Sequence, residues 1–386
     1  MSIPVSTKSS TRNVTKAGGI YIHVPFCQKR CIYCDFYSTT CGLEWKQVYV
    51  KALSREMERR RAETDLSRVP SLYIGGGTPS QLPPSLMEEV FLAILFNFTL
   101  LPEAEVTIEA NPDDVTPEWV AMLRHTPVNR ISMGVQTFSD PLLHFLNRRH
   151  TSQQALAAVR RCQDAGYTNI SLDLIYGLPG QTLNDWKQDV CRLLSLDVPH
   201  LSAYALSYEE GTILYKMLSE GRISEASEES SWQMYEYLMD KTAAAGMEHY
   251  EISNFAKPGM HSRHNSSYWT GAPYLGLGPG AHSYDGDNVR RANDASLKDY
   301  VEAAEDVPHQ VEILTTEERY DELVMTRLRT SNGLSLDLLL PEQQTYCLQM
   351  AQPHIESGNL LLEDAVLRLS RKGIFVSNTV ISDLMC

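Results

Sequence analysis

No apolar run in this chain approaches the ~20 residues a helix needs to cross a bilayer. The densest stretch, Val90 to Leu101, is broken by Asn97 and Thr99 and reads as a buried helix. Positive charge is also scarce: 34 Lys and Arg stand against 48 Asp and Glu, a formal net charge of -14. Nucleic-acid binding rests on clustered Lys and Arg, so neither DNA nor RNA is expected as the main partner. Two basic runs do occur, Arg59-Arg60-Arg61 and Arg148-Arg149-His150, and the first reads as a solvated helix face. No Gly-Lys-Ser/Thr follows a glycine run, which excludes a phosphate-binding P-loop. Nothing at the N-terminus resembles a secretory signal peptide, so a reducing, cytoplasmic setting without disulfides is expected. Residues 1–18 carry Lys8, Arg12 and Lys16 and no acidic residue. They are expected to form a flexible tail, with an organelle-targeting segment as the alternative.

Cysteine is where the sequence is specific. Cys27, Cys31 and Cys34 form a C-x3-C-x2-C run directly after the apolar segment Gly19 to Val24 and the Pro25-Phe26 step. A four-iron cubane normally takes four cysteine ligands, so three leave one iron open, much as a catalytic zinc site keeps one position free. Two other readings stand beside this one: a disulfide with a spare thiol, and a closed site completed by Cys41. Cys162, Cys191, Cys347 and Cys386 lack ligand spacing and read as ordinary thiols.

The three-cysteine spacing, with Tyr33 just before the third cysteine, resembles the signature of the radical S-adenosylmethionine (SAM) superfamily. That resemblance implies a four-iron four-sulfur (4Fe-4S) cluster on Cys27, Cys31 and Cys34. It further implies SAM at the open iron and reductive cleavage to a 5'-deoxyadenosyl radical. In such chemistry the cofactor carries the reaction and the protein binds and orients.

Six short apolar runs alternate with helical patterns: Gly19–Val24, Leu72–Ile74, Glu105–Ala110, Arg130–Val135, Ile170–Tyr176 and Leu201–Leu206. Trp45, Val48, Tyr49, Ala52, Leu53 and Met57 share one helical face, and Thr151 precedes a run through Ala155, Leu156, Val159 and Cys162. Alternating units predict a parallel sheet. Six of them suit an α/β fold, a partial (β/α)6 barrel with functional groups at the carboxyl ends of its strands. Residues 19–225 are assigned to the barrel and 226–314 to a linking region with a helix near Glu228–Ala245. Residues 315–386 are assigned to a winged-helix-like module ending in a Gly373–Val376 strand. Between Thr316 and Cys386 six Lys or Arg face ten Asp or Glu, unsuited to DNA. Gly276-Leu277-Gly278-Pro279-Gly280 lacks a strand-turn-helix context and reads as a loop.

The motifs at the strand ends can serve one ligand. Gly75-Gly76-Gly77-Thr78-Pro79 allows close backbone approach, because glycine has no Cβ. Glu109, Gln136, Arg148 and Asp173 are polar groups at or near strand ends, suited to a ribose, a carboxylate and an adenine. Together with Tyr21-Ile22-His23-Val24-Pro25-Phe26-Cys27, Glu109-Ala110-Asn111-Pro112 and Asp173 to Pro179, they resemble the oxygen-independent coproporphyrinogen dehydrogenase family. The resemblance extends through the C-terminal module. It implies that Tyr21, Tyr33, Gly76, Gly77, Thr78, Glu109, Gln136, Arg148 and Asp173 surround SAM, with Arg148 on the methionine carboxylate.

Two features depart from the dehydrogenases of that family, which carry a fourth cysteine where this chain has Phe36 and a longer N-terminal arm. His264-Asn265-Ser266-Ser267-Tyr268-Trp269 reads H-N-x-x-Y-W and resembles the HemW-type haem chaperones, as does Asp35-Phe36. This implies a protein that binds haem and passes it to an acceptor still to be identified, with His264 as one candidate axial ligand and His261, His249 and His282 as competitors. An imidazole suits haem iron, and a Tyr-Trp pair offers a flat apolar surface. The alternatives are oxidative decarboxylation of coproporphyrinogen III and an electron-transfer iron-sulfur protein. Peripheral membrane association through a partner and homodimerisation both stay open.

Overall fold

The computed structural model describes residues 18–63 and 68–386, so the expected N-terminal tail lies outside the described residues except for Gly18. Six strands form the centre: β1 (Gly19–Val24), β2 (Val69–Gly76), β3 (Leu100–Ala110), β4 (Arg130–Gln136), β5 (Ile170–Tyr176) and β6 (His200–Ala205). Each pairs in parallel with the next. Alternate positions separate two environments, as period-two geometry requires. Ile20, Ile22, Leu72, Ile74, Ile131 and Leu172 belong to the buried core. Tyr21, Tyr73, Glu109, Ser132, Asp173 and Ser202 occupy the opposite, concave face.

The connecting helices include α1 (Leu43–Arg60), α2 (Pro84–Asn97), α3 (Pro117–Leu123), α4 (Asp140–Phe145), α5 (Ser152–Asp164) and α6 (Leu183–Leu194). Helix α5 follows its sequence pattern: Thr151 and Gln154 form a capping box, and Ala155, Ala158, Val159 and Cys162 are buried at i, i+3, i+4 and i+7. Further on lie α7 (Ile213–Ser219), α8 (Glu228–Ala244), β7 (Glu248–Glu251), β8 (Asn254–Ala256), α9 (Arg263–Trp269) and β9 (Tyr274–Leu277). Then come β10 (His282–Tyr284), β11 (Val289–Asn293), α10 (Leu297–Glu302) and β12 (His309–Ile313). The strands join one sheet in the order β12-β11-β10-β9-β1-β2-β3-β4-β5-β6-β8-β7, which leaves the barrel open between its two ends.

Four expectations need correction. Gly276 and Leu277 are not in a loop: they lie in β9, parallel to β1. A Cβ on Gly276 would fall 1.9 Å from the His282 carbonyl oxygen, so glycine is what lets β10 pack there. Arg60 does not face solvent. It is 2% exposed and binds Glu56, Glu63, the Gly276 carbonyl at 2.7 Å and Ser283, tying α1 to β9 and β10. Helix α2 buries Val90, Phe91 and Ile94 but exposes Leu92, Leu95 and Phe96. Gly373–Val376 is not a strand, because Arg371–Phe375 is helical.

The last part comprises α11 (Thr316–Leu328), β13 (Leu334–Ser335), α12 (Pro341–Glu356), β14 (Leu360–Glu363), β15 (Val366–Leu369), α13 (Arg371–Phe375) and α14 (Ser377–Leu384). Its three strands pair in the order β13-β15-β14 beside a separate core that includes Tyr320, Val324, Leu334, Leu367 and Val380.

Candidate functional site

The loop after β1 carries the three cysteines, and neighbours on other elements set its course. Cys27 N–H donates to Thr39 O at 2.9 Å, Ile32 N–H to Leu146 O at 3.3 Å, and Leu214 N–H to Ile32 O at 2.9 Å. Asn147, at φ 64°, donates its side-chain amide to Arg30 O at 2.7 Å. All three thiols are free. Thr78 Oγ1 is 3.4 Å from Cys27 Sγ, and Arg148 Nη1 donates to Cys31 Sγ at 3.4 Å. Burial first, then the nearby Cys31 and Cys27, push the Cys34 thiol up to about 11. Three sulfurs within electrostatic reach, one met by a guanidinium donor and one beside a hydroxyl, are the donor set an iron-sulfur cluster asks for. Cys41 instead contacts Thr39 Oγ1 at 2.9 Å and packs against the barrel core.

Beside this loop the glycine run closes over a buried carboxylate. Tyr73 O–H donates to Glu109 Oε1 at 2.7 Å and Gly76 N–H to Oε2 at 3.2 Å. A Cβ on Gly75 would fall 3.0 Å from that carboxylate, and one on Gly76 2.8 Å from the His23 ring. Burial chiefly raises Glu109 to about 7, with Asp173 adding to it. Asp173 rises to about 6 for the same reason, moderated by hydrogen bonds from Ser202 and Ser132. Two carboxyls held near neutrality on one face form a site for a cationic or hydroxyl-bearing ligand. Arg148 Nη2 donates to Asn111 Oδ1 at 2.7 Å and to Gly134 O at 2.5 Å, linking the cysteine loop to the ends of β3 and β4. Gln136 takes a left-handed φ of 69° at a register shift between β4 and β5. Such strain in a non-glycine residue collects at functional sites.

A cleft of about 930 Å³ opens between β1, β9 and β10 and the C-terminal helices. Its walls include Tyr21, Phe36, Trp269, Tyr274 and Tyr284, with Arg290, Arg319 and Arg327 among its polar groups. That volume is near the upper end of the ~300–1,000 Å³ typical of small-molecule sites. Trp269 Nε1, Arg290 Nε and Arg327 Nε are buried polar atoms without a hydrogen-bond partner. Tyr21 links the cleft to the Glu109 cluster, whose charge, after burial, raises the Tyr21 phenol.

Comparison with known proteins gives the chain's family. The radical SAM superfamily model matches residues 21–190, and the HemN C-terminal domain model matches residues 314–376. The haem chaperone HemW of Bacillus subtilis is 39% identical over 321 residues, covering 82% of this chain and 84% of its own. HemW of Mycobacterium tuberculosis is 33% identical over 374 residues, covering 95% and 94%. The chain belongs to the HemW family. A mitochondrial relative, radical S-adenosyl methionine domain-containing protein 1 of Danio rerio, is 31% identical, covering 95% of this chain and 86% of its own. Among solved structures, coproporphyrinogen III oxidase (HemN) from Escherichia coli superposes with a TM-score of 0.82. It covers 96% of this chain and 90% of its own at 22% identity, which shows a shared fold.

Within this HemW-family chain, Cys27, Cys31, Cys34, Thr78, Arg148 and Asn111 are joined by direct contacts or charge, and so are Tyr21, Gly76, Glu109 and Asp173. Gly77 N–H donates to Val24 O at 2.8 Å, and Tyr33 packs on Leu146, Ile175 and Leu178. His264 departs from expectation. It lies on α9 rather than a loop, is 0% exposed, and has both ring nitrogens engaged, Nδ1 with Ser71 Oγ at 2.9 Å and Nε2 with Tyr268 OH at 2.8 Å. Burial, then Arg130, lowers it to about 3. Glu105 accepts the N–H groups of Arg263 and His264, so this motif seals the barrel interior and leaves His264 no lone pair for iron in this conformation. Sequence reading also passed over Tyr73 and Arg130. Both sit at alternate strand positions, and that alternation was the available signal.

No helix among the described residues is long and apolar enough to cross a membrane.

Proposed function

We propose that the chain is a haem chaperone that binds haem in the aromatic cleft and passes it to an acceptor protein, with a 4Fe-4S cluster on Cys27, Cys31 and Cys34 and SAM at the open iron. The observation that carries this reading is the 930 Å³ aromatic cleft beside Tyr21, adjoining the carboxylate cluster. Flat aromatic walls suit a macrocycle, and arginines at the same cleft suit its propionates. Held by the three cysteines, a 4Fe-4S cluster would be able to supply an electron to SAM.

The protein's own groups provide position and charge. Arg148 donates to Cys31 Sγ, which favours thiolate over thiol, and the Thr78 hydroxyl stands where it can donate to Cys27 Sγ once that thiol is ionised. Gly76 and Gly77 let the glycine run pack against His23 and the Pro25-Phe26 step beside the cysteine loop, where its backbone can meet the methionine end, and Arg148 offers positive charge to the methionine carboxylate. Glu109, Gln136 and Asp173 present acceptors and donors to the amino and ribose groups, with Tyr21 and Tyr33 bounding the site. Phe36, where the dehydrogenases carry a fourth cysteine, is 65% exposed and lines the cleft, which supports carriage over decarboxylation. Three thiols that must stay reduced support a cytoplasmic location. An acceptor protein, dimerisation and peripheral membrane contact through a partner belong to the same proposal.

The test is anaerobic turnover of the cluster-reconstituted protein with SAM, a reductant and coproporphyrinogen III, read by mass spectrometry. The expected result is no decarboxylated porphyrin from protein that binds haem at one per chain. Multiple-turnover product would overturn the chaperone reading.

A further inference from the structure

We propose that His282, on β10, is the protein ligand to the iron of the bound haem, an inference that rests on the haem reading of the cleft. Among the described residues, the rings of His125, His144 and His282 have no hydrogen-bond partner, and of these His282 alone lines the cleft. His23 also reaches the cleft, but its Nδ1 meets Tyr21 OH at 3.1 Å and its Nε2 meets Tyr37 O at 2.9 Å. Haem iron takes a neutral imidazole with a free lone pair. His282 meets that condition without breaking an internal bond, whereas His23 and His264 would each have to give up one.

The backbone under His282 is rigid while its ring is exposed. β10 pairs with β11 through His282 opposite Ala292, and the His282 carbonyl nests against Gly276, where any Cβ would collide. His282 is exposed and lines the same cleft as Tyr21, Phe36, Tyr274 and Tyr284. Burial, followed by the positive charge of Arg290, lowers its pKa, so the lone pair is available at neutral pH. A ligand on a pinned strand beside aromatic walls is the preorganised arrangement a metal site needs. The exposed ring also leaves the iron reachable from one side of the cleft, which suits a haem that must later be surrendered.

The experiment is a titration of the full chain with ferric haemin, following the Soret band, the electron paramagnetic resonance of the ferric iron, and the Kd. His282→Ala is expected to shift both spectra and weaken binding roughly tenfold or more, tenfold corresponding to about 1.4 kcal/mol. His282→Gly is expected to recover the wild-type spectra when imidazole is added, a readout that a merely structural role would not give. His264→Phe is expected to keep the wild-type haem spectra even if its melting temperature falls. Unchanged spectra and Kd in His282→Ala, with wild type binding one haem, would overturn the ligand assignment and leave the chaperone reading standing. A wild-type chain that binds no haem would overturn both.

Discussion

Glu109→Gln should change how stability depends on pH, by an amount the structure sets. In the folded chain Glu109 keeps its proton to about pH 7, mainly through burial, against an ordinary value of 4.5. Between these values the folded state binds more protons than the unfolded chain, so the Glu109 contribution to stability is present below pH 4.5 and is lost as pH rises towards 7. At about 1.4 kcal/mol per tenfold in proton affinity, the loss amounts to at most about 3 kcal/mol. Glutamine cannot ionise and escapes it. His264 and His150, both lowered to about 3, bend the total curve the other way, because a depressed imidazole adds stability as pH rises. The informative quantity is therefore variant minus wild type. Anaerobic urea denaturation of the ligand-free chain from pH 4.5 to 8 should show that difference rising in favour of Glu109→Gln, by 1 to about 3 kcal/mol. A difference flat with pH, or falling, would refute the placement of a strained carboxyl in the barrel. In the wild type, the same carboxylate should hold SAM more tightly above pH 7 than at pH 5.5.

Other outcomes follow from single contacts. Arg60→Ala leaves Glu56 buried and unpaired beside Tyr300 and Asn293, so unfolding should cost about 3–5 kcal/mol less, measured by denaturation. Gly276→Ala places a methyl against the His282 carbonyl, and should both lower stability and weaken haem binding; an unchanged haem Kd would separate the strand packing from the cleft. Cys31→Ala should abolish iron incorporation on anaerobic reconstitution, read by iron analysis and cluster absorbance, while Cys41→Ala should not; equal iron loss in both would restore a four-cysteine site.

The six central strands were legible because their core-facing positions alternate with polar ones and helical patterns separate them. Strand β9 was not, since it is only four residues long, contains Gly276 and runs straight into a glycine-rich turn, so pairing with β1 is what makes it a strand. Arg60 misled for a similar reason: a basic triplet on a helix looks solvated unless the neighbouring elements are known. The apolar Gly373–Val376 run was too short to tell helix from strand. At the site, strand-end carboxylates and the cysteine loop announced themselves by motif, but the burial of His264 depends on contacts distant in sequence, Ser71 and Glu105, and the seating of His282 against Gly276 depends on β9 forming a strand beside β1.

The central claim is that haem occupies the cleft beside Trp269, and a haemin titration followed by tryptophan fluorescence tests it most directly. The account predicts quenching that saturates at one haem per chain, loses the Trp269 share of the signal in Trp269→Phe while the four other tryptophans still report, and has a weaker Kd when Thr326→Trp fills the cleft from the C-terminal side. Saturable haem binding that ignores both substitutions would place the haem elsewhere and contradict it.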